Sequence, residues 1–505
     1  MKRNELYILA AVISAALVYF IWITAKIYPF QTADGSIYME VAQNIAQGKG
    51  LFYLSDGRLE PYVFWPPLYP FLIGFFSKIT GWDVLTVSSL LSGICLVVTF
   101  YLLYKIFKLF KLNLFLIASG LILYWLSWLF LLHFSTLSET LFIPLFLASY
   151  YYLLRWSKEY RTKHLVLSGF FIGLALLTRY AAWGIIGAYL IILFIASKDM
   201  RSAFKNAFLF LIPVAILFTP WYLYTLRYTG FFQREWGLHL VGSRHLYEMN
   251  VTFANWFTPG LTKIFIIPLF VLLLISMLLL IKKLPDLVTD KKIYIPVFIG
   301  GIYFVFILFS ISFFDFDTPL DTRILAPVYF ALLPAGLYYL QHVEFVSKKL
   351  FFLIISIVLF SHAINILPKS KELIIQSKQI KNLEKSALIQ TVQRYQNRII
   401  WSNVSDLLKY YVDNDTLIRE FPVKYDRKTL KTNMEFTADM NRLKQQLDKE
   451  QGMIVYFFGF IDREFLPGLD DFNKYFDDYP TYRFNHGIII FPKQFKDSLK
   501  VAGKP

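Results

Sequence analysis

Apolar segments of about 17–25 residues, each able to cross a bilayer as a helix, recur from the first residues of the chain to roughly residue 367. Inside hydrocarbon every backbone N–H and C=O must be bonded within the protein, so a chain of this kind folds as packed helices or as a closed barrel. Long runs without strict alternation select helices. Candidate spans are 6–28, 86–104, 113–132, 137–154, 164–178, 181–197, 204–226, 262–281, 293–312, 324–341 and 350–367, about eleven on that criterion. The N-terminal run MKRNELYILAAVISAALVYFIWITAKIYPF is too long for a signal-peptide core and lacks a small-x-small cleavage site, so it is expected to stay as the first span.

Composition agrees. The chain is 56% hydrophobic and only 17% charged, against about 45–50% and 25% in soluble domains. A net charge of +16 could suggest nucleic acid, but the basic residues sit in short links between spans: KIFKLFK (105–111), RWSKEYRTKH (155–164), SKDMRSAFK (197–205), KKLPDLVTDKK (282–292) and Ser347-Lys348-Lys349. That is the positive-inside pattern, and it places the alternate links outside. The single cysteine, Cys95, excludes an intrachain disulfide and CxxC chemistry and reads as a small buried apolar residue.

The outward links hold the remaining information. QTADGSIYMEVAQNIAQGKG follows the first span and reads as a short helix with an apolar stripe of Ile37, Val41 and Ile45. Asp34 at its start is either a helix cap or a chemical group. WPPLYPFLIGFFSKITGW (65–82) is short and Pro-rich, as an interfacial or re-entrant helix would be. Ionisable residues near membrane depth default to functional hypotheses. The outward set comprises Asp34, Glu40, Arg58, Glu60, Glu139, Arg179, Arg234, Glu235, His239, Arg244, His245, Asp315, Asp317, Asp321 and Arg323. Carboxylates beside guanidiniums suit a reaction in which a hydroxyl loses a proton while a phosphate leaves. Structural alternatives exist for each: Glu139 could belong to the helix start at LSET, and Arg323 could anchor a span end or pair with Asp317 or Asp321. Arg179 could be an interface anchor. His239 and His245, six apart, fit no common helical metal pair. The link from Arg227 to Leu261 exceeds usual connection lengths and is expected to form a partly helical lid or acceptor-binding element.

From Lys369 the character changes. Charge is frequent and apolar runs are short, giving a soluble domain of about 135 residues. NRIIWSN, GMIVYFF and HGIIIFP read as buried strands, with helices at LIIQSKQIKNLEKSALIQTVQRY and EFTADMNRLKQQLDKE. The acidic cluster Asp470, Asp471, Asp477 and Asp478 lacks calcium-loop spacing and reads as a solvated face.

ADGSIYMEVAQNIAQGKGLFY, followed by WPPLYPFLIGFF, resembles the first outward loop of the GT-C glycosyltransferases, in the bacterial branch related to protein O-mannosyltransferases and the lipid A aminoarabinose transferase. STLSETLFIPLFLASYYYLLR, GLALLTRYAAWGII, TPWYLYTLRYTG and DTRILAPVYFALLPAGLYYL follow in the family's order, so the resemblance covers about residues 1–345. IIWSNVSDLLKYYVD resembles the start of the outward domain in many such proteins. The resemblance implies a polytopic α-helical membrane protein of the GT-C fold, residues 1–368 with a first outward loop over 29–85, and an extracytoplasmic α/β domain over 369–505. It implies an inverting transferase using polyprenyl-phosphate sugars, with Asp34 as general base or acceptor-positioning residue, Glu139 close to the same site and Arg323 near the donor phosphate. Tyr38, Glu40, Arg58, Arg179, Arg234 and Arg244 join Arg323 as expected substrate contacts. In one respect the loop departs: it reads Asp34-Gly35 where the mannosyltransferases carry Asp-Glu, so a second carboxylate has to come from elsewhere. Expected partners are the lipid-linked donor, the bilayer, and a glycan, lipid or protein acceptor; no nucleic acid is expected. A divalent cation, Mg or Mn, is compatible with the phosphate chemistry. A transporter, or a non-catalytic binder of lipid-linked sugars, is the alternative; a transporter would place its charges near the midplane between inverted repeats, which this sequence does not display.

Overall fold

The structure is a computed structural model that describes residues 3–27, 33–55, 58–229, 237–239, 241–257, 259, 290–342, 348–409, 411–412, 416–426, 431–458 and 465–495. In chain order the helical part comprises α1 (Arg3–Thr24), α2 (Ala33–Ala46), a hairpin of β1 (Phe52–Ser55) and β2 (Arg58–Pro61), α3 (Leu68–Thr80), α4 (Val84–Leu109), α5 (Leu114–Trp125), α6 (Trp128–Leu131), α7 (Glu139–Glu159), α8 (Thr162–Leu176), α9 (Ala182–Ala196), α10 (Met200–Thr229), α11 (Ser243–Phe257), α12 (Lys291–Phe313) and α13 (Ala326–His342). Helix α14 (Lys348–Glu384) leads into the tail: α15 (Ala387–Arg394), β3 (Ile400–Ser402), α16 (Ser405–Leu408), β4 (Ile418–Glu420), α17 (Phe436–Lys449), β5 (Met453–Phe457), α18 (Leu469–Phe476), β6 (Thr481–Phe484) and β7 (Gly487–Ile490).

Helices cover each expected span except 262–281, which lies outside the described residues. They differ in kind. Among the described residues α1, α4, α10 and α12 are long and apolar enough to cross a bilayer on their own, and α5 with the turn after it forms a span bent by 50°. Helices α8 and α9 have 15 residues each, and α7 is buried along almost its whole length. Helix α7 is an interior member of the bundle, whereas α8 and α9 each bury one face and expose the other, with Phe170 on α8 and Trp183, Ile191 and Ile195 on α9 exposed. Helix starts follow the sequence: Asp83 accepts the N–H groups of Leu85 and Thr86 at 3.0 Å to begin α4, and Asn113 does the same for Leu116 in α5. Pro144, Pro213, Pro220, Pro296 and Pro334 sit inside helices, tolerated where surrounding helices satisfy the freed carbonyls. Close crossings occur at small residues. A Cβ on Gly169 of α8 would lie 2.1 Å from the Phe210 carbonyl of α10, and one on Gly74 of α3 would lie 2.5 Å from the Ala42 carbonyl of α2.

The expected interfacial element is α3. It buries Tyr69, Ile73 and Ser77 against α2 and leaves Phe71, Phe75, Phe76 and Ile79 exposed, the division an interface-plane helix requires. The two ends of the bundle are chemically distinct. At one, the basic links meet: Lys108 pairs with Glu5 at 2.8 Å, Lys291 donates to the Ser157 carbonyl at 3.0 Å, and Lys292 donates to the Phe110 carbonyl at 3.4 Å. At the other end lie α2, the hairpin, the turns before α7 and α9, α11 and the loop between α12 and α13.

The expected boundary at 368/369 falls inside α14, which runs without a break through Pro368 into the tail. The tail is a five-stranded mixed sheet in the order β4-β3-β5-β7-β6, with β3 parallel to β4 and β5, and β7 antiparallel to β5 and β6. Period-two alternation sends Ile400, Val455 and Ile489 to a core with Leu388 and Val392, and Trp401, Ile454, Ile488 and Ile490 to a core with Met440, Leu443 and Phe472. The expected strands are β3, β5 and β7; β4 and β6 are additional. The acidic cluster is more than a solvated face: Asp471 accepts the Gly468 N–H at the start of α18 and pairs with Lys424, and Asp478 pairs with Lys444 and Lys493. The tail docks at the end opposite the basic links, where α16 packs on α2 and Lys409 donates to Glu40 at 3.1 Å and to the Leu54 carbonyl at 2.9 Å.

Candidate active site

Four chain segments converge at that end. Helix α2 begins at Ala33, so Asp34 stands inside its first turn, where the helix dipole favours a negative charge. Glu139 opens α7. Arg179 occupies the turn between α8 and α9, and Asp321 and Arg323 lie in the loop before α13. Glu139 is only 1% exposed, and a buried carboxylate needs compensating partners. It has two: Arg179 Nη1 lies 2.7 Å and Arg323 Nε 3.2 Å from its Oε1. Arg323 reaches further, to Asp34 Oδ2 at 3.5 Å and Asp321 Oδ2 at 3.7 Å. Arg323 is thus the hub joining three carboxylates from three distant segments.

Beyond Arg323 the protein opens into a cavity of about 610 Å³. Asp34, Asp321 and Arg323 form its charged wall. Trp128, Leu132 and Leu137 form an apolar wall, and α11 closes a third side with Glu248, Thr252 and Asn255. Glu139 and Arg179 do not line the cavity. The carboxylates have therefore divided: Asp34, with its side chain 38% exposed, faces the space, while Glu139 lies behind the arginines. Burial pushes the Asp321 carboxyl above its ordinary range against the opposing pull of Arg323. Asp321 Oδ1 also accepts the Ile324 N–H at 2.9 Å, fixing the loop at the start of α13.

Helix α11 is tied to the same loop. Glu248 Oε2 accepts the Leu320 N–H at 3.0 Å, Thr252 donates to the Leu320 carbonyl at 3.1 Å, and His245 Nε2 donates to the Phe316 carbonyl at 2.9 Å. The wall of the cavity and its arginine hub are thereby one mechanical unit. Part of the long expected link is helical, as α11; residues 230–236, with Arg234 and Glu235, lie outside the described residues.

Other expected contacts fall in different places. Tyr38 is buried, its hydroxyl 3.4 Å from Ser138 Oγ, and burial followed by the Asp34 charge pushes its phenol up. It does not line the cavity and acts on Ser138, the residue before Glu139, which also accepts from Arg179 at 3.4 Å. Glu40 points to the opposite face of α2, where its carboxylate accepts the Leu54 N–H and the Lys409 ammonium beside a separate cavity of about 200 Å³. Arg244 is exposed on α11 and does not itself line the cavity; it pairs with the lining residue Glu248 at 2.8 Å and with Asp317 at 3.4 Å. Arg58 opens β2 opposite Ser55, and its side chain lies outside the described residues. Among the described residues no group of three His, Cys, Asp or Glu side chains is arranged to hold a metal ion. Sequence reasoning placed Asp321 among the outward charges without assigning it to the site. The signal was its position two residues before Arg323, which puts both on one short loop. Glu248 and Asn255 of α11 and Trp128 carried no comparable signal.

Residues 65–224, α3 to α10, match the sequence model of the dolichyl-phosphate-mannose-protein mannosyltransferase family. That stretch includes Glu139 and Arg179 but neither Asp34 nor Arg323. No curated protein matches the sequence. The structure is similar to that of ArnT from Cupriavidus metallidurans bound to undecaprenyl phosphate, with a TM-score of 0.60 and 11% identity over 95% of this chain and 97% of that one. The apo form of the same protein gives 0.59 and 12% over the same shares. The oligosaccharyltransferase of Archaeoglobus fulgidus, in a complex with Zn and sulfate, gives 0.50 and 12% over 93% of this chain and 72% of that one. With ArnT matched over nearly its full length, tail included, the chain has the GT-C fold of integral-membrane glycosyltransferases.

Proposed function

We propose that the protein is an inverting glycosyltransferase that moves a single sugar from a polyprenyl-phosphate donor to a hydroxyl of a cell-envelope glycan, lipid or protein. The observation that carries this reading is the pairing at the cavity wall: Asp34, half-exposed, 3.5 Å from an arginine that Glu139 holds from behind. A base must be free to meet its proton, whereas the group that receives the leaving phosphate must be fixed in advance. Asp34 takes the proton of the acceptor hydroxyl as its oxygen bonds to the anomeric carbon. The bond from that carbon to the phosphate oxygen breaks, its electron pair stays on the phosphate, and the Arg323 guanidinium meets the added charge. Attack opposite the leaving group inverts the anomeric centre. Asp321 supplies the second carboxylate that the Asp34-Gly35 loop lacks. Arg179 and Tyr38 act through Glu139 and Ser138 as positioning residues.

The positive-inside rule assigns the basic end to the cytoplasm, so the cavity and the tail face outward, with the plasma membrane of a prokaryote as the setting. A divalent cation would have Asp34 and Asp321 as its available carboxylates. The test is sugar transfer by purified protein from a panel of undecaprenyl-phosphate sugars, with water as the default acceptor. Turnover by wild type, lost by a factor of about 10²–10⁴ in Asp34→Asn with donor binding intact, supports the reading. Equal turnover in both removes Asp34 as base. Donor binding without any turnover leaves a non-catalytic binder, and no donor binding across the panel favours a transporter.

A further inference from the structure

Helix α11 turns one stripe toward the active-site cavity: Tyr247, Glu248, Val251, Thr252 and Asn255, the spacing of a single helical face. The polar members of the stripe differ in what they do. Glu248 accepts from Arg244 with one carboxylate oxygen and from the Leu320 N–H with the other, and the Thr252 hydroxyl donates to the Leu320 carbonyl. Both residues are therefore occupied in holding the helix and its loop together. Asn255 is not: among the described residues its side-chain amide has no hydrogen-bond partner.

That is unusual for a residue only 7% exposed, because buried amides are normally paired. Three asparagines are buried among the described residues. Asn44 donates to the Phe52 carbonyl at 2.8 Å. Asn403 donates to the Phe457 carbonyl at 3.0 Å and accepts the Phe457 N–H at 2.9 Å. Even Asn250, exposed on α11, donates to the Leu246 carbonyl at 2.8 Å. Of the three buried amides, that of Asn255 stands unpaired, and it stands in the wall of a cavity. An apolar side chain of the same shape would serve folding equally well or better, so a ligand accounts for the amide and the fold does not.

The chemistry of the wall selects the ligand. An amide offers donors and an acceptor, which a hydroxyl answers in both roles, whereas an ionised phosphate only accepts. Trp128, Leu132 and Leu137 supply apolar lining in the same cavity, suited to the carbon face of a sugar ring. The bonds from Glu248 and Thr252 to Leu320 hold α11 against the loop that carries Arg323, so the Asn255 amide keeps a fixed place relative to that guanidinium. The sugar attached to a phosphate at Arg323 is the hydroxyl-bearing group that this frame would hold.

We propose that Asn255 is a specificity-determining residue that reads a ring hydroxyl of the donor sugar, while Trp128 packs on the ring. This rests on the transferase reading and names the wall that recognises the sugar.

The experiment measures donor binding by the full-length protein in lipid nanodiscs, with no acceptor present. The probes are the undecaprenyl-phosphate sugar of the panel that wild type binds most tightly and its monodeoxy analogues. Wild type is expected to bind at least one monodeoxy analogue about 10–100-fold more weakly than the parent donor, and Asn255→Leu to bind those two alike. Without donor, the unfolding midpoint of Asn255→Leu should equal or exceed that of wild type. A lower midpoint would show that the amide serves the fold, and it overturns the proposal. Discrimination that survives in Asn255→Leu overturns it too, as does a wild type that binds every monodeoxy analogue as well as the parent; in both cases the transferase reading stands. If wild type neither binds nor turns over any donor of the panel, the transferase reading fails and the proposal fails with it.

Discussion

Neutralising Glu139 should damage the protein in a way that neutralising Arg179 as well does not worsen. The Arg179–Glu139 contact is 2.7 Å, which at an effective dielectric of about 20 corresponds to roughly 6 kcal/mol of Coulomb attraction. Much of that offsets the desolvation of two buried ions, and removing one partner of such a pair generally costs about 3–5 kcal/mol because the other is left uncompensated. For Glu139→Gln the cost is expected at the lower end, about 3 kcal/mol, since Arg179 and Arg323 retain one-fifth of their side-chain exposure. Arg179→Met leaves Glu139 with Arg323 at 3.2 Å and should cost about 2 kcal/mol. In the double variant the remaining Arg323 keeps Asp34 and Asp321, so the loss should be about 3 kcal/mol rather than the sum, a coupling of about 2 kcal/mol. The assay is the unfolding equilibrium of the four proteins in mixed micelles, read by tryptophan fluorescence. Costs that add to within about 0.5 kcal/mol would refute the view that this pair fixes the turn before α9 against α7.

Lys409→Met removes the ammonium that joins Glu40 to the Leu54 carbonyl. The pair is partly exposed, so the stability loss should stay below about 1 kcal/mol. Faster amide exchange is expected in the β1–β2 hairpin, with the tail sheet unchanged; a uniform change across both domains would show that the contact does not dock the tail on α2. Asp321 supplies a pH signature. Because burial raises its carboxyl above the ordinary value near 3.8, its contribution to folding is full below that value and is lost as pH rises through the raised one. The stability of Asp321→Asn relative to wild type should therefore improve as pH rises from strongly acidic toward neutral, and a flat difference in unfolding midpoints would show that the carboxyl is not desolvated. Activity should respond differently: without the second carboxylate, kcat is expected to fall while the Asp34-dependent limb of the pH profile remains.

The architecture was legible because hydrocarbon allows few solutions. Apolar length marked the spans, and the short apolar runs in NRIIWSN, GMIVYFF and HGIIIFP marked three of the tail strands. The short helices α8 and α9 fell on the expected spans 164–178 and 181–197, but which of their faces is buried is set by neighbours that no local window contains. The residues of the candidate site were legible by type, and their placement only in part. Asp34, Glu139, Arg179 and Arg323 were all candidates, yet nothing local distinguishes Asp34, which faces the cavity, from Glu139, which lies behind two arginines. That distinction is made by contacts across 184 positions, from Glu139 to Arg323. Glu40 misled for the same reason: only the docked tail, 369 positions away, shows what its carboxylate binds.

The division of labour between the carboxylates also explains why the charges are spread over four segments. A single helix presenting Asp34, Glu139, Arg179 and Arg323 would let them move together, and the guanidinium would follow the base when it shifted toward its substrate. Here Arg323 is fixed by Glu139 on α7 and by the loop that Asp321 caps and α11 grips, whereas Asp34 is carried by α2, whose other face is held by the tail through Lys409. Under the proposed roles, the leaving-group side is thus referenced to the helical bundle and the acceptor side to the tail. Changes that loosen the tail should then alter acceptor use before they alter donor binding, and a Lys409→Met protein that lost donor affinity first would contradict this assignment of the two sides.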